Sequence, residues 1–572
     1  MTVIENRANL GHDWLVLEAA GAQPEVPAPP LPLTLSRWLP LLLFSFLCFH
    51  GLTRSFPRTN RRNPFLFIGF RTLSVTTGGT PCDTLPPFRF GKERPLKPPR
   101  GPRNRFVRRA GLAALLAFAM ACGHFALRAK ASPRSGAAPE DLLAATPPLG
   151  WNSWDGYGAT VNESQVRANA QWFAKHLRPY GWQYIVVDME WFVTNPVPEG
   201  NAKSAQYSLD EFGRYTPPPS RFPSAKNGKG FKPLGDYLHS LGLKFGIHIL
   251  RGIPKKAVEG NSPIAGSAFH AGDAADTSET CPWNPDNYGI DAEKPGAQAY
   301  YDSIAQLYAS WGVDLIKVDC ISSRPYRGEE IRMLSTALRK AGRPVVLSLS
   351  PGPAPIEKTS EMRQYAQMWR ISNDIWDLWH STVDYPQGLV DQFPNVAAWA
   401  GVAQPGHWPD ADMLPLGYLG PAPGWGKPRP SQLSRDEQRT LVTLWSIFPS
   451  PLMIGGDLTH ADQWTTGLLT NPEVLAVDQH SAENRVAFTS GDIVIWTAKS
   501  STSNAHYVAV FNLGGAPATV RRSWEELGFD SGEYAVRDLW KHTSLGNSRA
   551  TDATLAPHAS VLYRIELAAN AH

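Results

Sequence analysis

The stretch "WGVDLIKVDC", residues 311–320, decides how the rest of the chain is read. Before it, "YYDSIAQLYASWG" (300–312) puts Tyr301, Ile304, Ala305 and Tyr308 on one helical stripe, with Gly312 as the natural stop. "DLIKVD" (314–319) then reads as a strand shaped for burial, yet it carries Lys317 and Asp319. Unpaired burial of such charges is costly. Either they form a structural ion pair, or the end of the strand is a reaction site.

The alternation of helix and strand continues on both sides. Strands are expected at "LGWNSW" (149–154), "YIVVD" (184–188), "KFGIHI" (244–249), "PVVLSLS" (344–350), "MWRIS" (368–372), "AWAGVAQPG" (398–406) and "PLMIGG" (451–456). "GFKPLGDYLHSLGL" (230–243) is a second amphipathic helix. Eight βα units predict an α/β fold, a (β/α)₈ TIM barrel over residues 146–480. Beyond it, "DIVIW" (492–496), "HYVAVFN" (506–512) and "SVLYRIEL" (560–567) are short β-rich runs between Gly, Ser and Pro. They predict a C-terminal antiparallel β-sandwich over 481–572. There are no apparent internal repeats.

A chain of 572 residues with 42% apolar content and 20 Trp is globular and holds more than one core. Its net charge of +4 hides an asymmetry. Residues 1–131 carry 18 Lys/Arg against 6 Asp/Glu, and the remainder 37 against 45. The body is mildly acidic, which argues against nucleic-acid binding. The first 102 residues read as translation upstream of the true start, which is expected near Val107. "RNRFVRR" (103–109), "AGLAALLAFAMA" (110–121) and "AKA" (129–131) form a secretory signal, followed by a linker at 132–145. A cytoplasmic tail with a signal anchor is the alternative. The expected destination is outside the cell or the periplasm, with no stable membrane span in the mature protein. "AMAC" makes Cys122 a poor lipidation site. Of five cysteines, Cys281 and Cys320 remain in the body, enough for one disulfide and offering no zinc spacing. Neither a metal nor a cofactor is expected.

A barrel exposes the C-terminal ends of its strands at its mouth, and polar residues cluster there. They are Trp154, Asp188, His248, Lys317, Asp319, Ser348, Ser350, Arg370 and Asp374. Any one alone reads as a helix cap or a packed core group; their joint placement at one rim reads as a site. Two aspartates from different strand ends suit glycoside hydrolysis, with one carboxylate beneath the anomeric carbon and one beside the leaving oxygen. Lys317 would hold Asp319 ionised. A neighbouring carboxylate and an apolar wall of Trp369 and Trp408 would keep Asp374 protonated.

"TPPLGWNSWDGYG" (146–158), "LKFGIHI" (243–249), "WGVDLIKVDC" (311–320), "WRISNDIWD" (369–377) and "PGHWPDADMLPLG" (405–417) resemble glycoside hydrolase family 27. This is the group of α-galactosidases and α-N-acetylgalactosaminidases. The resemblance implies a retaining exo-glycosidase acting on a carbohydrate, with Asp319 as nucleophile and Asp374 as acid/base. It further implies Trp154 as a pocket wall, Asp188 on the axial 4-hydroxyl, Arg370 near the 2-hydroxyl, Lys317 on the ligand, and a Cys281–Cys320 disulfide. His248 stands where tyrosine is common, and "LSPGP" (349–353) replaces the usual reader of the 2-substituent. "DMEW" (188–191) puts Met189 in place of an acid that helps bind the 6-hydroxyl, and strand alternation turns Glu190 elsewhere. The implied activity is release of terminal α-D-galactose. The departures favour, as alternatives, β-L-arabinopyranose or an isomaltose-type unit. A non-catalytic sugar-binding protein is the reading from another class.

Overall fold

The computed structural model describes residues 142–568. The expected signal, start site and Cys122 therefore lie outside the described residues. Eight parallel strands are present: β1 (Leu149–Asn152), β2 (Tyr184–Val187), β3 (Lys244–Leu250), β4 (Leu315–Asp319), β5 (Val346–Leu349), β6 (Met368–Arg370), β7 (Trp408–Asp410) and β8 (Leu452–Ile454). They pair in the order β7-β6-β5-β4-β3-β2-β1-β8. The circle closes just beyond β7, where Leu414 N–H donates to Met453 and Gly455 N–H donates back to Leu414. A helix follows each strand, including Ala297–Ser310 before β4 and Gly328–Lys340 after it. This is the expected (β/α)₈ barrel.

The seventh strand was expected at 398–406 and is not there. That apolar run is the end of a helix, Gln392–Ala398, followed by turns at Gly401 and Gly406 with φ of 75° and 83°. The true strand, Trp408–Asp410, has only three residues, too short to leave a period-two signal.

Alternation along each strand divides the barrel. Ile185, Val187, Ile316, Val318, Leu347, Leu349 and Trp369 point outward and join the helices in the main core. Tyr184, Val186, Leu315, Val346, Met368 and Met453 point inward and fill the lower lumen. That lumen is full. A Cβ at Gly150 would come within 2.6 Å of Met453 Sδ, and one at Gly246 within 2.8 Å of Val186 Cγ2. Two residues further along the same inward rows, apolar gives way to polar.

From Ser481 the chain forms a six-stranded antiparallel sheet with a two-stranded partner, the expected sandwich. Both faces of the large sheet are covered. Ile495, Val508 and Val510 fill the sandwich core, whereas Val494, Trp496, Tyr507, Ala509 and Phe511 join the barrel's core. The helix Arg435–Ile447 seals this seam, with Thr440 Oγ1 donating to His558 O at 2.8 Å and Thr443 Oγ1 accepting from Trp540 Nε1 at 2.9 Å. Among the described residues no helix is long and apolar enough to cross a membrane.

Candidate active site

At the C-terminal ends of the strands lies a cavity of about 370 Å³. Trp154, Asp188, His248, Lys317, Asp319, Arg370 and Asp374 all line it. Ser348 does not; it is buried one layer below, and Ser350 is the serine that reaches the wall. The two aspartates 319 and 374 thus share one cleft.

Asp188 is the best-held group. His248 Nδ1 donates to Oδ1 at 2.9 Å, and Asn152 Nδ2 to Oδ2 at 2.7 Å. Burial pushes its carboxyl up, but His248, Lys317 and Asn152 outweigh that and hold it well below the ordinary range. His248 is therefore a second layer behind Asp188 as well as a wall of the cavity.

Lys317 does not chiefly serve Asp319. Burial pushes its amine down, and the charges of Asp188, Asp412 and Asp374 restore it to above its usual value. Asp319 instead accepts a hydrogen bond from Trp283 Nε1, 2.9 Å from Oδ2. Cys281 and Cys320, flanking both partners, are joined by a disulfide with 6.0 Å between Cα atoms.

Arg370 is fully buried and forks between two carboxylates. Its Nη1 lies 2.7 Å from Asp412 Oδ1 and its Nη2 lies 3.1 Å from Asp374 Oδ1. Asp374 is 41% exposed, and Asp412 only 3%. Asp412 also accepts from Ile375 N–H at 2.8 Å, which fixes the loop carrying Asp374. Burial and the nearby charge of Asp374 push Asp412 up to about 7 against the pull of Arg370. The expected apolar wall is elsewhere. Trp369 points outward into the helix layer, and Trp408 sits at the base of the barrel, donating to Ala144 O. Trp376, Tyr385, Trp154 and Trp283 supply the aromatic walls. The indole of Trp154 lies against Gly424, where any side chain would overlap it.

Met189 lines the cavity beside Asp188, with no acid in its place. Glu190 reaches the wall too, contrary to the alternation argument. The strand ends at Val187, and Glu190 takes φ 61°, so period two no longer applies. Its Oε1 accepts from Asn201 N–H at 2.8 Å and from Asn284 Nδ2 at 3.0 Å, and burial pushes the carboxyl up to about 7. Asp155 is a further buried acid on the wall, raised well above the usual range first by burial and then by Asp412. Asp155, Asp412 and Trp283 were missed from sequence. Asp412 lies two residues past β7, so the misplaced strand hid it.

Residues 287–480 match the family model described as alpha galactosidase A, and 490–565 match the alpha galactosidase C-terminal beta sandwich domain. The chain is 46% identical to a β-L-arabinopyranosidase of family GH27 from Geobacillus stearothermophilus, over 75% of this chain and 98% of that one, with a TM-score of 0.72. A variant of that enzyme solved in complex with arabinose matches equally well. α-Galactosidase I from Mortierella vinacea is 25% identical over 75% of this chain and 98% of its own, with a TM-score of 0.58. An α-galactosidase of Oryza sativa is 29% identical over 430 residues, 74% of this chain and 85% of its own.

Proposed function

Since the chain belongs to glycoside hydrolase family 27, we propose that it is a retaining exo-glycosidase that releases terminal β-L-arabinopyranose. This sugar has the ring configuration of α-D-galactose without the hydroxymethyl group. The single observation that carries the choice is Met189 on the cavity wall next to Asp188. A 6-hydroxyl placed against a thioether loses a hydrogen bond that water would give it, a cost of about 1–3 kcal/mol. Glu190 holds Asn201 and Asn284 through Oε1, and its buried Oε2 has no partner among the described residues. The identity to an arabinopyranosidase, 46% against 29% for the rice α-galactosidase, supports the same choice.

In this reading Asp319 attacks the anomeric carbon while Asp374 gives its proton to the departing oxygen. Asp374 then takes a proton from water, which releases the sugar with its configuration retained. Retention asks for carboxyl groups roughly 5–5.5 Å apart, which one cavity permits. Asp412, pushed up to about 7, keeps a proton within the carboxylate cluster near neutral pH. Arg370 ties Asp374 to that cluster. Asp188, held ionised, accepts from the axial 4-hydroxyl.

The second reading, α-galactosidase, is favoured by the family models and the plant relatives. Comparing kcat/KM on nitrophenyl β-L-arabinopyranoside and nitrophenyl α-D-galactopyranoside decides between them. At least a tenfold preference for the pentoside is expected. The reverse preference makes the protein an α-galactosidase, and binding without release from either makes it a sugar-binding protein. Export from the cell belongs to the same proposal, and the N-terminal residue of protein recovered from culture medium tests it.

A further inference from the structure

Trp283 sits in the turn between two short antiparallel strands that follow β3, Ala275–Thr280 and Asn287–Ile290, outside the barrel sheet, yet its indole N–H donates to Asp319 Oδ2 at 2.9 Å. Three ties hold it there. The Cys281–Cys320 disulfide joins the residues flanking the pair. Asn201 Nδ2 donates to Trp283 O at 2.8 Å, and Asn201 is itself held by Glu190. The Arg324 guanidinium lies over the indole, 5.8 Å from its centroid, and also donates to Asn373 Oδ1, next to Asp374. So much restraint on one indole exceeds what a loop needs for packing, since Trp283 is only partly buried.

We propose that Trp283 is the positioning residue of Asp319: its N–H occupies Oδ2 and leaves Oδ1 as the attacking atom. The inference rests on Asp319 being the nucleophile. Oδ1 forms the bond to the anomeric carbon, the bond from that carbon to the aglycone oxygen breaks, and that oxygen leaves with the proton of Asp374. A carboxylate with both oxygens free rotates about its Cβ–Cγ bond; one oxygen pinned by a fixed donor does not, and preorganisation of this kind lowers the barrier. Buried Glu190, which the reaction does not use, thereby acquires a purpose as the anchor of the Asn201 turn.

The test compares Trp283→Phe and Trp283→His with the parent and with Asp319→Asn. An N–H to a carboxylate is a charge-assisted bond, so its loss should lower kcat/KM by about ten- to a hundredfold. The loss should appear even with a nitrophenolate leaving group, which needs no proton and so bypasses Asp374. Inhibition by the free sugar and Tm should stay within a factor of two and 2 °C or so of the parent. Trp283→His, which can donate from Nε2, should recover part of the rate. If Trp283→Phe turns over like the parent while Asp319→Asn is dead, the positioning role is wrong and the nucleophile stands. If Asp319→Asn remains active, the reading beneath the inference fails. A Trp283→Phe protein that loses rate, sugar affinity and Tm together shows a structural residue and overturns the proposal.

Discussion

The lower and upper halves of the barrel lumen are built from the same inward-facing rows of the same strands. Below lie Tyr184, Val186, Leu315, Val346 and Met453; above lie Asp188, Lys317, Asp319, Ser350 and Arg370. The lower set excludes water and stabilises the barrel by burial, about 25 cal/mol per Å² of apolar surface. The upper set does the opposite. It crowds Asp155, Asp188, Asp412 and Asp374 around two cations, and burial drives Asp155 and Asp412 toward their neutral forms. A fold selected only for stability would continue the apolar rows upward. The difference identifies the upper half as the part kept for chemistry, and it can be broken from either side.

The largest effect is expected from above. Asp319→Asn should lower turnover by about 10³-fold or more, with the protein still folded. Asp374→Ala should do the same for a sugar aglycone but spare the first step on a nitrophenyl glycoside. From below, Leu315→Ala should cost about 2–5 kcal/mol of stability and leave kcat within twofold at temperatures where the barrel stays folded. Equal damage to rate and stability by either class would erase the distinction.

Met189→Asp probes the wall of the upper half beside Asp188. It should raise the α-galactoside to β-L-arabinopyranoside ratio of kcat/KM by about ten- to a hundredfold, read directly from the two nitrophenyl substrates. The smallest effect concerns pH. Glu190 sits at about 7 in the fold against an ordinary 4.5. The folded state therefore binds that proton more tightly, and the stability it contributes is full below about 4.5 and lost as pH rises to 7. Glu190→Gln should remove about 1–3 kcal/mol of that pH dependence, seen as a smaller fall in Tm between pH 5 and pH 8.

The two halves were not equally legible in the sequence. Period-two rows such as Leu315, Lys317 and Asp319 declare both the strand and its polar end, so seven of the eight barrel strands and most of the wall could be read directly. Groups that reach the cavity from outside a regular element could not. Trp283 comes from the turn of a small antiparallel sheet outside the barrel, and Glu190 turns inward through a left-handed backbone that no alternation rule foresees. Lys317 differs: its place on the strand was read correctly, but the charges that raise its amine are those of Asp188, Asp412 and Asp374, which come from other strand ends and loops. The short β7 hid Asp412 by shifting the frame in which its position would have stood out.

The most direct measurement is to trap the reaction halfway. The protein is incubated with an activated fluorosugar of the arabinopyranosyl series, digested, and its peptides are weighed. A single glycosyl adduct on the peptide bearing Asp319 is the expected result, with the released sugar in unhindered turnover keeping its anomeric configuration by NMR. An adduct on a different carboxylate, or turnover with inverted configuration and no adduct, would contradict the account.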